Sequence, residues 1–378
     1  MEGEIPGKAI GSQKAGRGRQ AVRLSLLQRE MSADNLDALV VTHLPNIFYL
    51  SSFSGSSAIL VVTPSDATLI TDPRYTVQAK QELAETKAKV QIARGPLLMA
   101  AGERLKAIRA RHVGFEAARI TVAQKGALDG AAGQRTRWIA WDGRIEKARA
   151  VKDAEEIQTI REAGAIACAA WADILPLVKV GALESDLAAE IEYNMRRKGA
   201  SGPAFDLIVA SGERGALPHA RASRKAIKKN ELVVFDLGAI LRGYSSDLTR
   251  TVFVGRAPRE VRRCYKAVLE AQEAARLALR PGVHSEEVDA TARRVLRGAG
   301  LGDKFIHSTG HGLGLEVHEM PRIARGDKSV LQQGMVVTLE PGVYFEGQGG
   351  IRTEDDALVA ERGAEYLTQA NRELIELG

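Results

Sequence analysis

The feature that most constrains the fold is an internal repetition in the second part of the chain. The segment "GALESDLAAEIEYNMRRKGA" from Gly181 has the same character as "GVHSEEVDATARRVLRGAG" from Gly282, and "ELVVFDLGA" around Asp236 resembles "GMVVTLEPG" around Glu340. From 181 to 282 the offset is 101 residues, and from 236 to 340 it is 104. Near-equal offsets indicate a duplicated unit. We predict a pseudo-symmetric α+β domain in which each half has a helix followed by a strand pair, with the active centre between the halves.

A second domain precedes the duplicated one. The chain has 378 residues, and single hydrophobic cores stop growing near about 250 to 300 residues. The runs "DALVVTHL", "AILVVTP" and "ATLITDPRY" are short and β-branched, which predicts strands, and helical patterns occur in "RLSLLQREMSADNL" and over 76–89. We predict a flexible tail over 1–18, an α/β domain over 19–140, a connection that begins at Trp138 and a linker over 141–150. The duplicated domain then covers 151–378 and opens with a long helix capped by Asp153.

Bulk properties disfavour several classes of protein. The net charge of +6 is a modest excess of 53 basic over 47 acidic residues. The basic segment "HARASRKAIKKN" over 219–230 would suit a nucleic-acid or partner-binding scaffold, but it lacks aromatic residues for base stacking, so we expect no nucleic-acid partner. No apolar run has the length of a membrane span, and the amino terminus lacks an apolar signal core. We expect a cytoplasmic protein without a membrane partner, in which Cys168 and Cys264 are free thiols.

Four carboxylates occupy unusual places in the duplicated domain. Asp236 and Glu340 interrupt apolar strands, where an ionised group needs a strong cationic partner, a raised pKa or access to solvent. Each is followed by a second acid, Asp247 or Glu354, which hairpin pairing would bring close to it. Four converging carboxylates repel one another, and two divalent cations would compensate their charge. Taken singly, each acid could also be a surface group or a cap, and only spacing separates Glu354 from the two aspartates after it.

A cluster of histidines supplies the missing nitrogen ligand. The stretch "HSTGHGLGLEVHE" over 307–319 contains three of the seven histidines of the chain. Its glycines at 310, 312 and 314 oppose a helix, so the helical zinc-protease motif does not apply, and a loop that leads into a short strand is predicted. An oxygen-rich ligand set with one imidazole favours Mn²⁺ first and Co²⁺ or Zn²⁺ next.

These residues resemble the proline-specific metallopeptidases of the creatinase/aminopeptidase ("pita-bread") fold. The resemblance begins near Asp37 and rests chiefly on "HARAS", "VVFDLGA", "SSDLTRT", "HSTGHGLGLEVHEMPRI", "GMVVTLEPGVY" and "GGIRTEDDALV". It implies a pita-bread catalytic domain preceded by a smaller creatinase-like α/β domain. Methionine aminopeptidases match less well, because their pattern lacks a histidine corresponding to His307 and separates the last two glutamates by more than the fourteen residues found here.

The resemblance also implies roles for individual residues. Glu340 would be the general base as well as a ligand, and Asp247 and Glu354 would bridge the two ions. His318 and His219 would stabilise the oxyanion, and Arg352 and Thr249 would support the ligands. The five metal ligands would be Asp236, Asp247, His311, Glu340 and Glu354, and the substrate-binding residues His219, His307, His318 and Arg322.

The implied function is hydrolysis of the bond between a first residue and proline through a hydroxide that bridges two divalent metal ions. Our first expectation is an Xaa-Pro aminopeptidase (aminopeptidase P-like) acting on short peptides with proline at the second position. The alternative is an Xaa-Pro dipeptidase (prolidase), and a catalytically silent binding protein on the same fold is a third reading. The resemblance further implies a homodimer. The sequence leaves open whether Tyr244 and Phe205 line the proline pocket or fill the core.

Overall fold

The computed structural model describes residues 10–84 and 86–378, and the chain divides between Ala148 and Arg149 into two units. The first nine residues of the predicted tail lie outside the described residues, and the first helix begins at Ile10, inside the range predicted for the tail. Within the described residues, no helix combines the length and the apolar character that a membrane crossing requires.

The first unit alternates helices and short strands. Its elements are α1 (Ile10–Ala33), β1 (Ala38–Val41), α2 (Leu44–Ser51), β2 (Ala58–Val62), β3 (Ala67–Thr71), α3 (Thr76–Leu83), β4 (Ala88–Ile92), α4 (Leu97–Ala107), β5 (His112–Phe115), α5 (Val122–Ala132), β6 (Arg137–Ala140) and α6 (Arg144–Ala150), the last of which crosses the unit boundary. The strands form one sheet in the order β4-β3-β2-β1-β5-β6. Every residue of β1, β2 and β3 is buried, as expected for central strands of a sheet that is covered on both faces.

Two local differences from the sequence prediction occur in this unit. The helix predicted over 76–89 ends at Leu83, because residues from Ala88 onward pair in parallel with β3 as an edge strand. Trp138, which we assigned to the connection, lies in β6, and the stretch 141–150 contains helix α6. Both misassigned segments lie at sheet edges, where half-exposed strands have weak apolar patterns.

The second unit has four α-helices and fourteen strands among its described residues. They are α7 (Ala154–Ile174), α8 (Glu184–Arg197), β7 (Gly202–Pro203), β8 (Ile208–Ser211), β9 (Glu231–Leu237), β10 (Ala239–Leu241), β11 (Tyr244–Ser245), β12 (Leu248–Val254), α9 (Arg259–Ala278), α10 (Ser285–Gly298), β13 (Gly310–Gly312), β14 (Glu319–Ile323), β15 (Val336–Leu339), β16 (Gly342–Phe345), β17 (Gly349–Arg352), β18 (Asp355–Ala360), β19 (Gly363–Tyr366) and β20 (Ile375–Leu377). As predicted, Asp153 caps the long helix α7 by accepting from the amides of Glu155 and Glu156.

The duplication is visible in the backbone of this unit. Helices α8 and α10 have the same length and are offset by 101 residues at both ends. The Gly181 amide donates to the Ile227 carbonyl (2.8 Å), and the Gly282 amide donates to the Leu331 carbonyl (2.9 Å). These pairs have the offsets found in the sequence, 101 and 104, which supports the predicted α+β fold with two related halves.

Each half contributes a sheet with a small hairpin inserted between its two central strands. In the first half, β9 pairs antiparallel with β12, and β10–β11 is the hairpin between them. In the second half, β15 pairs antiparallel with β18, and β16–β17 is the hairpin. The hairpins make the chain turn away from the sheet and return at an adjacent position, so residues on either side of each hairpin face one another.

The two cysteines and the two aromatic residues left open by the sequence have definite places. Cys168 and Cys264 are free thiols, as predicted. Tyr244 is buried and its hydroxyl donates to Glu156 Oε1 (2.7 Å), which joins β11 to α7. Phe205 is half-buried against Gly238, where a Cβ would come within 2.9 Å of its ring.

Candidate metal centre

The four carboxylates predicted from the sequence lie where the inserted hairpins begin and end. Asp236 lies near the end of β9, opposite Thr249 of β12, and Asp247 immediately precedes β12. In the second half, Glu340 directly follows β15 and Glu354 directly precedes β18. Strand pairing thus produces both of the juxtapositions that the sequence predicted.

The two acid pairs are joined across the halves by hydrogen bonds. The Glu354 amide donates to the Thr249 carbonyl oxygen (3.1 Å), and Thr249 Oγ1 donates to Glu354 Oε2 (2.6 Å). In the other direction, the Asp247 amide donates to Asp356 Oδ2 (3.0 Å). The acid-bearing segments of the two halves therefore lie side by side.

His311 completes the cluster from strand β13. Its Nε2 lies 3.5 Å from Glu340 Oε1 and 3.9 Å from Asp247 Oδ2. Its Nδ1 lies 3.1 Å from the Gly312 carbonyl oxygen, which favours a proton on Nδ1 and leaves the Nε2 lone pair directed at the acids. Asp247, His311 and Glu354 each offer one ligand atom, and these atoms lie within 4.8 Å of one another.

The electrostatics of this cluster fit bound cations. Burial and the neighbouring carboxylates raise the pKa of Asp247 and Glu354 well above their usual values. Burial also raises the pKa of Glu340 to about 7, although the charge of Arg352 acts in the opposite direction. Burial lowers the pKa of His311 to about 4, so its imidazole is neutral at pH 7 and available as a ligand.

Two buried carboxylate oxygen atoms test whether the cluster fits metal ions. Asp236 Oδ1 and Asp247 Oδ1 have no hydrogen-bond partner among the described residues. A buried carboxylate oxygen without a donor costs free energy unless a metal ion coordinates it or the group is protonated. Oxygen atoms from acids of both halves and one imidazole nitrogen are suitable ligands for divalent ions of the hard or borderline class.

Arg352 contacts one of the predicted ligand carboxylates. It extends from β17 and donates through Nη2 to Asp236 Oδ2 (2.6 Å) and through Nε to Thr249 Oγ1 (3.1 Å). Its Nη1 donates to the Tyr344 hydroxyl (2.8 Å), and Tyr344 also lies 2.9 Å from His307 Nε2. Sequence reasoning missed Tyr344, although it lies four residues after Glu340 in the hairpin that carries Arg352.

The other three histidines predicted for the site are His219, His307 and His318. The rings of His311 and His318 have centroids 4.1 Å apart. Burial lowers the pKa of His307 and His318 most, the charge of Arg352 adds to this at His307, and the charge of His219 contributes at both. His219 and His318 are exposed and His307 is partly buried. Arg322 is exposed on β14, at the position paired with His311 of β13.

The glycines of the histidine segment are required by close packing, not by an unusual backbone conformation. A Cβ on Gly310 would lie 1.9 Å from the Thr338 carbonyl oxygen, and a Cβ on Gly312 would lie 2.2 Å from that of Met320. On Gly314 it would lie 2.7 Å from the Glu319 carboxylate. None of the three has a positive φ. The glycines therefore let β13 fit between β14 and β15.

Sequence reasoning missed the buried acids that hold the histidine segments in place. Asp289 of α10 accepts from the Thr309 amide (3.1 Å) and hydroxyl (2.8 Å) and pairs with Arg293, which donates to the His307 carbonyl. Glu184 of α8 accepts from the amides and hydroxyls of two serines, Ser211 and Ser223, on either side of His219. Both acids lie on the helices that the repetition in the sequence marks, which is the only signal that could have pointed to them.

A buried ion cluster also holds the residues next to His318. Glu319 accepts from Arg149 and from Lys152 Nζ (3.2 Å), and Arg149 also pairs with Glu316 (2.9 Å). The side chains of Arg149, Lys152 and Glu319 are nearly inaccessible to solvent. No sequence pattern indicates this cluster specifically, because its cations come from the segment at the start of the unit, far from the histidines along the chain.

The two aspartates that follow Glu354 have different surroundings. Asp355 is buried and accepts from Arg250 (2.8 Å), Arg372 (2.7 Å) and Thr368 (2.8 Å), so its charge is compensated away from the cluster. Asp356 is also buried, and it contacts the Asp247 amide as described above. The sequence alone could not show that Asp355 is paired with arginines whereas Asp356 contacts the segment of Asp247.

Two family models match the chain. Residues 158–361 match "Metallopeptidase family M24", and residues 23–151 match "Creatinase/Prolidase N-terminal domain".

Full-length relatives match as well. An Xaa-Pro dipeptidase of Pyrococcus furiosus is 38% identical over 93% of this chain and 99% of its own length. Among solved structures, an Xaa-Pro dipeptidase from Bacillus anthracis has a TM-score of 0.90 and 36% identity, covering 94% of this chain and 100% of its own. An X-Pro aminopeptidase from Thermotoga maritima has a TM-score of 0.87 and 36% identity, covering 94% of this chain and 99% of its own.

Proposed function

The chain belongs to metallopeptidase family M24, and on that premise we propose that it is an Xaa-Pro dipeptidase, which hydrolyses the bond between the first residue and proline in dipeptides. Our first expectation, an aminopeptidase acting on longer peptides, has less support than this alternative, because full-length relatives carry the name Xaa-Pro dipeptidase. The observation that carries the proposal is this match together with the cluster of Asp247, His311 and Glu354. The cluster also argues against a silent binding protein.

We propose that the cluster holds two divalent metal ions, with Mn²⁺ as the expected metal. Asp247 and Glu354, which come from different halves and have ligand atoms close to each other, would be two of the ligands. Bound cations supply Lewis acidity, which polarises a carbonyl group and makes water a better nucleophile. The remaining ligands would be Asp236, His311 and Glu340.

In the proposed reaction, Glu340 takes a proton from the attacking water and delivers it to the prolyl nitrogen as the carbon–nitrogen bond breaks. That nitrogen belongs to a tertiary amide without an N–H, so a proton must reach it before it can leave as an amine.

The exposed histidines and Arg322 would recognise the substrate. His318 and His219 would donate hydrogen bonds to the carbonyl oxygen as it gains charge. His307, held by the Tyr344 hydroxyl, would contact the substrate from the partly buried side. Arg322 would bind the free carboxylate of proline, because a guanidinium and a carboxylate can form two parallel hydrogen bonds.

The test compares Xaa-Pro with Xaa-Pro-Xaa peptides, with Xaa-Ala as a control for proline specificity. We expect the dipeptide kcat/KM to exceed that of the tripeptide by at least about tenfold. Replacing Arg322 by Gln should raise KM for the dipeptide about 10- to 100-fold, because a charge-assisted contact contributes about 1.5 to 3 kcal/mol. If tripeptides are hydrolysed as fast as dipeptides, and Arg322→Gln does not change their turnover, the aminopeptidase is favoured. The similarity to the X-Pro aminopeptidase structure from Thermotoga maritima is the specific support for that alternative.

The homodimer and the cytoplasmic location remain predictions.

A further inference from the structure

One buried acid beside the metal centre has no part in the proposed reaction. Asp356 lies on β18, opposite Thr338 of β15, and is fully buried. Its Oδ2 accepts from the Asp247 amide at 3.0 Å, and its Oδ1 has no hydrogen-bond partner among the described residues. Burying a carboxyl group costs free energy, so its position next to a ligand segment needs an explanation.

The duplication gives this contact a counterpart. Asp356 lies two residues after Glu354, and Thr249 lies two residues after Asp247. Thr249 donates through its hydroxyl to Glu354 Oε2 (2.6 Å), which belongs to the other half. Asp356 accepts from the Asp247 amide, which also belongs to the other half. In each half, the residue two positions after Asp247 or Glu354 therefore contacts the corresponding acid of the other half.

The neighbouring aspartate shows that general stabilisation does not explain Asp356. Asp355 has ion pairs with Arg250 and Arg372 and joins β18 to the surrounding structure. The Asp356 side chain has no such cation, and its one hydrogen bond within the described residues goes to the segment that carries Asp247. Its contact is thus directed at the metal centre alone.

We propose that Asp356 is a positioning residue for metal binding. By holding the main chain at Asp247, it keeps the Asp247 carboxylate beside Glu354 and His311, as Thr249 does for Glu354 from the opposite side. The inference rests on the proposed metal centre and assigns a residue of this chain outside the five ligands to the binding of the cations.

The experiment measures Mn²⁺ affinity by titration calorimetry on chelator-treated full-length protein. Asp356→Leu keeps the approximate size of the side chain but removes the acceptor, whereas Asp356→Asn keeps an acceptor oxygen. We expect Leu to weaken the binding of at least one Mn²⁺ equivalent about 10- to 100-fold, the range typical of groups that support a metal ligand, and Asn to stay within about threefold of wild type. The visible spectrum of bound Co²⁺ should change for Leu and not for Asn.

A matched control comes from the same segment. Thr353 is buried next to Glu354, and its hydroxyl has no hydrogen-bond partner among the described residues, so Thr353→Val should leave Mn²⁺ affinity unchanged. If Asp356→Leu does not fold, Asp356→Ala removes the acceptor without adding bulk and provides the same comparison.

The outcomes separate this inference from the proposed function. Wild-type protein that binds neither Mn²⁺ nor Co²⁺ would overturn the metal centre and this inference with it. Wild-type protein that binds both ions, together with a folded Leu or Ala variant of unchanged affinity, would overturn the role of Asp356 alone. An Asn variant as weak as the Leu variant would do the same.

Discussion

The two halves of the duplicated domain carry equivalent acids but compensate them differently. The first half separates Asp236 and Asp247 by 11 residues, and the second separates Glu340 and Glu354 by 14, because its hairpin is longer. That hairpin carries Arg352, which contacts Asp236 of the first half. The position equivalent to Arg352 in the first half, 107 residues earlier, is Ser245.

The duplication thus accounts for the equivalent positions of the acids in the two halves. The guanidinium group that compensates their charge, that of Arg352, comes from the hairpin of the second half. The charge of Arg352 lowers the pKa of Glu340 and Glu354 against the effect of burial. For Asp247, burial is the largest influence and the charges of Glu354, Asp236, Asp356 and Glu340 add to it in the same direction. Arg352 thus partly offsets the effect of burial on the two glutamates, whereas the main influences on the pKa of Asp247 all raise it.

The largest expected effect tests the equivalence of the acids. Asp247→Ala and Glu354→Ala should each lower kcat/KM for Xaa-Pro by more than about 100-fold, because loss of a group that merely supports a ligand already costs about 10- to 100-fold. Steady-state kinetics with saturating Mn²⁺ measures this. Asp303→Ala, on an exposed acid outside the cluster, is the control. A large loss for only one of the two acids would break the comparison.

The next effect tests the asymmetry in compensation. Arg352→Met should lower kcat/KM about 10- to 100-fold, because Asp236 loses its guanidinium partner, whereas Ser245→Ala at the equivalent position should stay within about twofold. Arg352→Lys keeps the charge but not the forked geometry and should fall between them. The same kinetics decide, with circular dichroism to show that each variant folds. Equal losses at both positions would mean that the hairpins contribute alike.

A smaller effect concerns the acids that anchor the histidine segments. Asp289→Asn should lower kcat/KM about tenfold, because Thr309, which Asp289 holds, accepts from the Glu340 amide (2.8 Å) through its carbonyl. Glu184→Gln, which affects only the segment around His219, should cost about threefold. Kinetics together with thermal unfolding separates activity from stability. The reverse order would show that the first-half segment matters more.

The smallest expected effect is a pH dependence of stability in the metal-free protein. Glu340 has a folded pKa of about 7, above its unfolded value, so its contribution to stability is lost as the pH rises through about 7. The histidines with lowered pKa act with the opposite sign, and their effect fades only above about pH 6.5, so the contribution of Glu340 is measured as the difference from Glu340→Gln. Relative to that variant, the free energy of unfolding of the wild type should fall by about 1 kcal/mol between pH 6.5 and 8.

Urea denaturation at several pH values measures this slope, and Glu340→Gln should reduce it. Saturating Mn²⁺ should abolish it, because bound cations favour the ionised carboxylates at every pH in this range. A slope that persists unchanged with Mn²⁺ would argue that Glu340 does not face the cations.

The sequence predicted the duplicated α+β domain and the grouping of the acids, because both depend on local strand patterns and on pairing across a hairpin. It did not predict Tyr344, Asp289 or the contact between Arg352 and Asp236, because these depend on which side chains meet between halves. The edge strand β4 was missed for a related reason, since its residues are half-exposed and their pattern resembles that of a helix. Contacts between distant segments leave no periodic trace in the sequence.

The packing of β13 has an evolutionary consequence. Glycine is the smallest residue, so every missense mutation at positions 310, 312 and 314 adds at least a Cβ, and at 310 and 312 that atom would collide with backbone that cannot rotate away. Any substitution at those two sites would therefore require the backbone to move. Changes in specificity that preserve the fold are more readily accommodated in the flanking residues or in the loop around His219.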